Sequence, residues 1–304
     1  MPRKIIYLIN PISGTKKKAQ LKDLIIRKTR AEGIDFEILP SKADGNYTHL
    51  QKLIEKDKIT DVVICGGDGT VNAVANALQG ITVNIGILPI GSGNSVALAC
   101  KIPRQPSLAL DLIFRGKSYP VDAFYVNEKF SCALCGIGFD ATVAHEFANQ
   151  KTRGLQTYIR ISTMKFFNSK PYPFEIKLNG RTLKTEAYFI NIANSNQFGN
   201  NVTIAPRASM SDGLLDIVIV KKMNKIILPF SVLLQVAGNN RLIEGVEYLE
   251  KKNIIYMQTD KISIKNPSNA PMHIDGEPAA TSSEFKIQII RNCFKLIQPS
   301  KPKA

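Results

Sequence analysis

The spacing of apolar residues changes part-way along the chain. Over the first ~115 residues, short apolar runs alternate with segments whose apolar positions recur every three or four residues. "KIIYLIN" (4–10), "DFEIL" (35–39), "DVVIC" (61–65) and "NIGILPI" (84–90) predict strands. "KKKAQLKDLIIRKTRAEG" carries Leu21, Leu24 and Ile25 at helical spacing and stops at Gly33, a natural helix end. "THLQKLIEK" (48–56) places Leu50, Leu53 and Ile54 on one helical face, and Thr70–Leu78 predicts the helix that follows the third strand. Strands alternating with helices imply a parallel sheet covered on both faces, with ligands at the carboxyl ends of the strands. The glycine-bearing turns at 10–14, 66–69 and 91–94 all fall at that edge.

Beyond ~120 the period shortens to two. "YPVDAFYVNEKFSCALCGIGF", "PFEIKLNGRTLKTEAYFINIA", "GLLDIVIVKK", "ISIKNPSNAPMHIDGE" and "EFKIQIIRNCFKLIQ" alternate and carry turn dipeptides such as Asn179-Gly180. They predict a mostly β, sandwich-like domain with two helical insertions, near 139–167 and 225–241. The expected organisation is an α/β nucleotide-binding domain over 1–122 and a β domain over 123–298. The C-terminal end of the second is left free to pack back on the first.

At 304 residues the chain is long enough for about two domains, each with its own core. The apolar stretch "IILPFSVLLQVAG" (226–238) is broken by Pro229 and Gln235 and falls short of the ~20 residues that span a bilayer. "MPRKIIYLINP" enters a strand at once, with an apolar run too short for a signal peptide, so a cytoplasmic protein is expected. Five cysteines do not describe a disulfide framework, and Cys132 and Cys135 lack the second ligand pair of a zinc site. The net charge of +15 fits nucleic acid, an anionic membrane surface, or solubility alone. The lysines are dispersed, tryptophan is absent and no nucleic-acid-binding motif is visible. Nucleic acid is therefore not expected as a partner, whereas a membrane surface stays open.

"VVICGGDGTVNAVANAL" (62–78) carries the most specific chemistry. A strand, a glycine turn and a helix N-terminus together suit a phosphate. Asp68 within that turn would repel the phosphate unless a divalent cation lies between them, as in phosphoryl-transfer sites; the alternative is a plain helix cap. "NPISG" (10–14) stands where a dinucleotide-binding protein would carry GxGxxG, and the absence of that pattern argues against a Rossmann NAD site. In "LPIGSGN" (88–94), Ser92 and Asn94 could bond a phosphate or ribose.

Taken in order, these motifs resemble the diacylglycerol kinase catalytic-domain family, whose members include soluble bacterial lipid kinases and sphingosine kinases. The resemblance covers nearly the whole chain: NPxSG at 10–14, GGDGT with Asn72, GSGN at 91–94, Asp122 in "YPVDAF", "GIGFDA" at 136–141, "SDGLLD" at 211–216 and "DGE" at 275–277. It implies an NAD kinase-like α/β domain holding ATP and a β-sandwich domain supplying the lipid cleft. By this resemblance ATP lies against Asn10, Ser13, Gly14 and Ser41, the loop Gly66, Gly67, Asp68, Gly69, Thr70 with Asn72, and the loop Gly91, Ser92, Gly93, Asn94. It further implies that Asp68 and Asp122 organise a catalytic Mg²⁺ through water and that Glu277 is the general base. Asp212, with the carbonyls of Ser209 and Leu214, would form a second Mg²⁺ site.

Two positions depart from the family pattern: Ser95 stands where many bacterial members carry an aspartate, and Ala73 where glutamate is common. The residues themselves leave alternatives open, with Asp122 as a strand start, Asp212 as a β-turn residue and Glu277 as a hairpin tip. His145 and His273 read as surface or packing residues. Segment 154–170 reads as a helix packed on the sandwich, with a membrane-lying helix as its rival. The expected activity is ATP- and Mg²⁺-dependent phosphorylation of a diacylglycerol-, sphingoid- or related lipid at an anionic membrane that the protein visits transiently. A homodimer is left open. The rival functions are a soluble-substrate kinase of the NAD kinase type and a catalytically weak nucleotide- or lipid-binding regulator.

Overall fold

The structure is a computed structural model and describes residues 2–9, 15–42, 44–150, 155–178, 180–198, 203, 205–222, 248–251 and 253–299. Asn10, Ser13 and Gly14, Asn179 and the helical insertion expected at 225–241 lie outside the described residues. The chain divides into two compact units, residues 1–122 with 292–304, and residues 123–291.

The first unit alternates as its apolar pattern dictates. Its elements are β1 (Lys4–Ile9), α1 (Thr15–Ala31), β2 (Asp35–Pro40), α2 (Thr48–Asp57), β3 (Asp61–Gly66), α3 (Asp68–Ala77), β4 (Asn84–Pro89), α4 (Ser95–Ala99) and α5 (Pro106–Arg115). β5 (Lys117–Val126) begins here and continues into the second unit. The strand order is β4-β3-β1-β2, all parallel. β3 is buried at every residue, as expected of a central parallel strand with both faces covered. α1 ends where Gly33 takes φ +66, and the Gly33 N–H caps the Arg30 carbonyl at 3.0 Å. A half-buried ion pair ties β1 to β3 at their start: Asp61, 1% exposed, receives Arg3 Nε at 2.9 Å.

The second unit is mostly antiparallel. It contains β6 (Lys129–Ser131), β7 (Leu134–Gly138), α6 (Phe139–Ala148), α7 (Leu155–Asn168), β8 (Tyr172–Leu178), β9 (Arg181–Ala193), β10 (Leu215–Lys221), β11 (Tyr248–Lys251), β12 (Ile254–Thr259), β13 (Lys261–Lys265), β14 (Met272–Ile274), β15 (Glu277–Ala279) and the first part of β16 (Glu284–Gln298). The last residues of β16 belong to the first unit, where Lys295 and Leu296 run parallel to β4. β9 is the hub: its first half pairs β8, its second half β7 and β10. One core of Phe124, Ile137, Ile190, Ile217, Phe285 and their neighbours fills the unit.

Two local expectations are refined. The run "KFSCALCGIGFDA", whose apolar density reads as one buried strand, breaks at Cys132 and Ala133 and turns helical at Phe139. The break occurs because the Asp275 carboxylate draws in the N–H groups of Cys132, Ala133 and Leu134. Helix α3 starts at Asp68, two residues before the apolar pattern signals it.

Candidate active site

Parallel register brings the second and third glycine turns together. Ile9 pairs Pro40 and Cys65, and Gly66 pairs Pro89, so the chain leaves each strand at one edge of the sheet. Ser41 follows immediately, 6% exposed, its N–H donating to the Ile9 carbonyl at 2.8 Å. The second and third glycine loops touch backbone to backbone. A Cβ on Gly91 would run into Gly67 Cα, and one on Gly66 would come within 2.9 Å of Thr70 Cβ. Only glycine permits this approach, which leaves a main-chain cradle at the N-terminus of α3. Gly67 caps that helix through its carbonyl, which accepts from the N–H groups of Thr70 and Val71 at 3.1 Å each. Gly67 occupies the cap position, and Asp68 is the first residue of the helix.

The third loop clasps Asp68. Ser95 N and Ser95 Oγ both donate to Asp68 Oδ1, each at 2.7 Å, and Gly93 lies so close to Oδ2 that a Cβ would sit 2.6 Å away. The loop holds its own shape through Asn94, which adopts φ 57 and ψ 44. Its Oδ1 accepts from Gly91 N at 3.0 Å and its Nδ2 donates to the Gly91 carbonyl at 2.7 Å. Asn94 thus acts within the loop, and Ser92 is the exposed hydroxyl. Asn72 lies half-buried on α3.

Asp122, 2% exposed on β5, receives the Asn292 N–H at 2.8 Å where Asn292 turns left-handed at φ 52. Burial pushes the neighbouring Cys293 thiol up to about 12, and the Asp122 charge adds to that rise.

The remaining predicted residues belong to the second unit. β14 and β15 form a hairpin whose two turn residues, Asp275 at φ 49 and Gly276 at φ 83, are both left-handed. Glu277 follows and is exposed. Asp275 anchors this turn. Its carboxylate accepts from Ser131 Oγ at 2.8 Å and from Cys132, Ala133 and Leu134 N at 3.2, 3.0 and 2.9 Å, while its own N–H donates to the Leu134 carbonyl at 2.8 Å. Asp212 accepts from Leu214 N at 3.0 Å across Gly213, which is left-handed at φ 74. Ser209 Oγ and Ser211 Oγ lie 3.5 Å apart beside it. Asp216, fully buried on β10, has Gln258 Nε2 at 3.3 and 3.4 Å from its two oxygens, and its carboxyl is raised to about 7 by desolvation.

Residues 4–126 match the family model of the diacylglycerol kinase catalytic domain, and residues 133–298 match that of the YegS C-terminal NAD kinase beta sandwich-like domain. The chain belongs to the diacylglycerol kinase catalytic-domain family. A diacylglycerol kinase of Bacillus subtilis (strain 168) is 26% identical over 90% of the chain and 89% of its own length. A protein of Shewanella frigidimarina (strain NCIMB 400), named "Probable lipid kinase YegS-like", is 28% identical over 80% and 78%. A crystal structure from Bacillus anthracis str. Sterne, described as that of a candidate diacylglycerol kinase, covers 97% of both chains with a TM-score of 0.79 at 22% identity, a likeness of fold.

Within this family member, the donor set fits Mg²⁺ in a particular way. Among the described residues no group of three or more His, Cys, Asp or Glu side chains converges as a metal cluster. A cation here would rest on single carboxylates such as Asp68 with water completing its shell, which suits Mg²⁺ better than Zn²⁺ or Ca²⁺. The glycine cradle fits phosphate, since side chains are excluded where the backbones meet. Two contributors escaped the sequence reading. Ser95 appears there only as a missing aspartate, whereas its N–H and hydroxyl both hold Asp68 Oδ1. Asp275 enters there only within the DGE motif, whereas it fixes the turn to β7; its position two residues before Glu277 was the available signal.

Proposed function

We propose that the chain is an ATP- and Mg²⁺-dependent lipid kinase that transfers the γ-phosphate of ATP to a hydroxyl of a diacylglycerol, sphingoid or related lipid. The observation that carries this is the clasped Asp68: a carboxylate held at its Oδ1 by two donors, inside a backbone cradle at a helix N-terminus. Family membership supports the lipid acceptor. The loops 66–72 and 91–94 orient the phosphates, with Ser41, Asn10, Ser13 and Gly14 around the nucleotide. Asp68 and Asp122 would hold the catalytic Mg²⁺ through water, and Asp212 with the Ser209 and Leu214 carbonyls would hold a second, structural one. When bound, Mg²⁺ supplies charge neutralisation, the main need of a phosphoryl transfer. Glu277, exposed at the start of β15, takes the acceptor hydroxyl's proton as its oxygen bonds to the γ-phosphorus and ADP leaves.

Access to the acceptor follows from the surface. Among the described residues no helix is long and apolar enough to cross a membrane. α7 buries Ile161 and Phe166 in the core and leaves Ile159, Met164 and Phe167 exposed beside Arg160 and Lys165. Together with the +15 charge, this suits transient contact between a cytoplasmic protein and an anionic bilayer.

The test is transfer of labelled γ-phosphate into a total lipid extract, with Asp68→Asn as control. Label should appear in a phospholipid and fall by ~10²-fold or more in the variant, as for loss of a group that stabilises transition-state charge. Label in NAD and none in lipid would replace this reading with the soluble-substrate one. ATP binding without turnover on either would support the regulator.

A further inference from the structure

Glu277 is presented by a hairpin whose strands are three residues each, too short to hold themselves in place. Asp275 supplies one anchor. A second lies beneath the turn. His273, on β14, is 0% exposed, and its Nδ1 accepts a hydrogen bond from the Gly276 N–H at 3.3 Å. A ring nitrogen that accepts cannot carry the proton, so the neutral imidazole is protonated at Nε2. That nitrogen faces Asp140 Oδ2 at 3.5 Å, an electrostatic approach longer than a full hydrogen bond.

The surroundings are built for this approach. His273, Gly136 and Asn191 form one rung across β14, β7 and β9. A Cβ on Gly136 would overlap both Asp140 Oδ2 and His273 Nε2, so glycine opens the space in which they face each other. Asp140, 5% exposed in the first turn of α6, is fixed by the Ala141 N–H at 2.8 Å on Oδ1 and approached by Asn191 Nδ2 at 3.5 Å on Oδ2. The Phe198 ring meets the imidazole edge-on at 5.7 Å and limits its rotation. One step along β14, the Met272 carbonyl bonds His145 Nε2 at 2.7 Å.

We propose that His273 is a positioning residue: oriented by Asp140, it fixes the Gly276 N–H and thereby sets where the Asp275–Gly276 turn presents the Glu277 carboxylate. This rests on the reading of Glu277 as the proton acceptor. A displacement of ~1 Å at such a group can cost ~10²-fold in rate without touching substrate affinity.

The two ring nitrogens can be separated by substitution. His273→Asn places an amide oxygen near the Nδ1 position and can still accept from Gly276. His273→Gln places its polar atoms near Nε2 and leaves Gly276 without its acceptor. His273→Ala removes both. Lipid phosphorylation by each full-length variant, with thermal melting and Glu277→Gln alongside, should show kcat reduced ~10-fold or more in His273→Ala and His273→Gln, with KM for ATP and lipid unchanged, and largely restored in His273→Asn. Equal losses in all three, or a loss confined to melting temperature, would overturn the proposal. If Glu277→Gln retains activity within threefold, the reading of Glu277 has failed. If it loses activity while the His273 variants keep theirs, the fault lies with the positioning role. A second measurement needs no variant: ¹⁵N NMR of histidine-labelled protein should show His273 protonated at Nε2, and a proton on Nδ1 would refute the Gly276 bond outright.

Discussion

Ser95→Asp is the sharpest probe of what Asp68 faces. In the native loop, Ser95 Oγ is a donor 2.7 Å from Asp68 Oδ1, and Ser95 is only 3% exposed. The substitution turns that donor into a second carboxylate. Two unit charges about 4 Å apart repel by about 4 kcal/mol at an effective dielectric of about 20. With no cation present, the variant should melt on the order of 10 °C below the wild type, given a shift of a few degrees per kcal/mol in a domain of this size. A divalent cation between the carboxylates reverses the sign, because each then attracts the ion. Melting followed by differential scanning fluorimetry across a Mg²⁺ titration should show a steep rise in the variant and a shallow one in the wild type. The variant's half-saturating Mg²⁺ for lipid phosphorylation should fall as well. A melting deficit that Mg²⁺ does not relieve would mean that no cation reaches Asp68, and this loop would then not hold a metal-bridged phosphate.

Gly91→Ala forces the two glycine loops apart and should cost ~1–3 kcal/mol, as overpacking does, whereas Gly69→Ala, with open space around it, should be neutral or slightly stabilising; equal melting temperatures for the two would contradict the close approach. Asp216 has its carboxyl raised to about 7, so the fold favours its protonated form, and this support is present below the unfolded value near 3.8 and lost as pH rises towards 7. In chelator, Asp216→Asn should therefore gain on the wild type by up to about 4 kcal/mol between pH 4 and pH 8, at about 1.4 kcal/mol per unit; a difference flat with pH would show that burial does not govern this group. Co-sedimentation with vesicles should increase with phosphatidylserine content and weaken with salt, and Phe167→Ser should lower it; binding indifferent to all three would leave the charge to serve solubility alone.

The strands and helices of the first unit were legible because each element is stated locally. Val62, Val63 and Ile64 are apolar in succession since both faces of β3 are covered, and Gly33 ends α1 by its own conformational freedom. The β domain was legible as a class but not as a topology. The break at Cys132 and Ala133 gives no local sign, because the group that causes it is more than 140 residues away at Asp275.

The candidate site divides along the same physical line. Asp68 and Asp275 both precede a glycine, and from composition alone either could be a ligand-facing carboxylate or a turn residue. What separates them is the donors each meets. Asp275 meets three backbone N–H groups and a hydroxyl from a distant loop, enough to satisfy a carboxylate, and its charge is spent on holding the chain. Asp68 accepts from the N–H and hydroxyl of one residue 27 positions on, both at Oδ1, and Gly93 packs against Oδ2. Both are fixed by long-range donors, Asp275 in a hairpin turn and Asp68 in a glycine cradle at a helix N-terminus, and the proposed roles rest on that difference of setting.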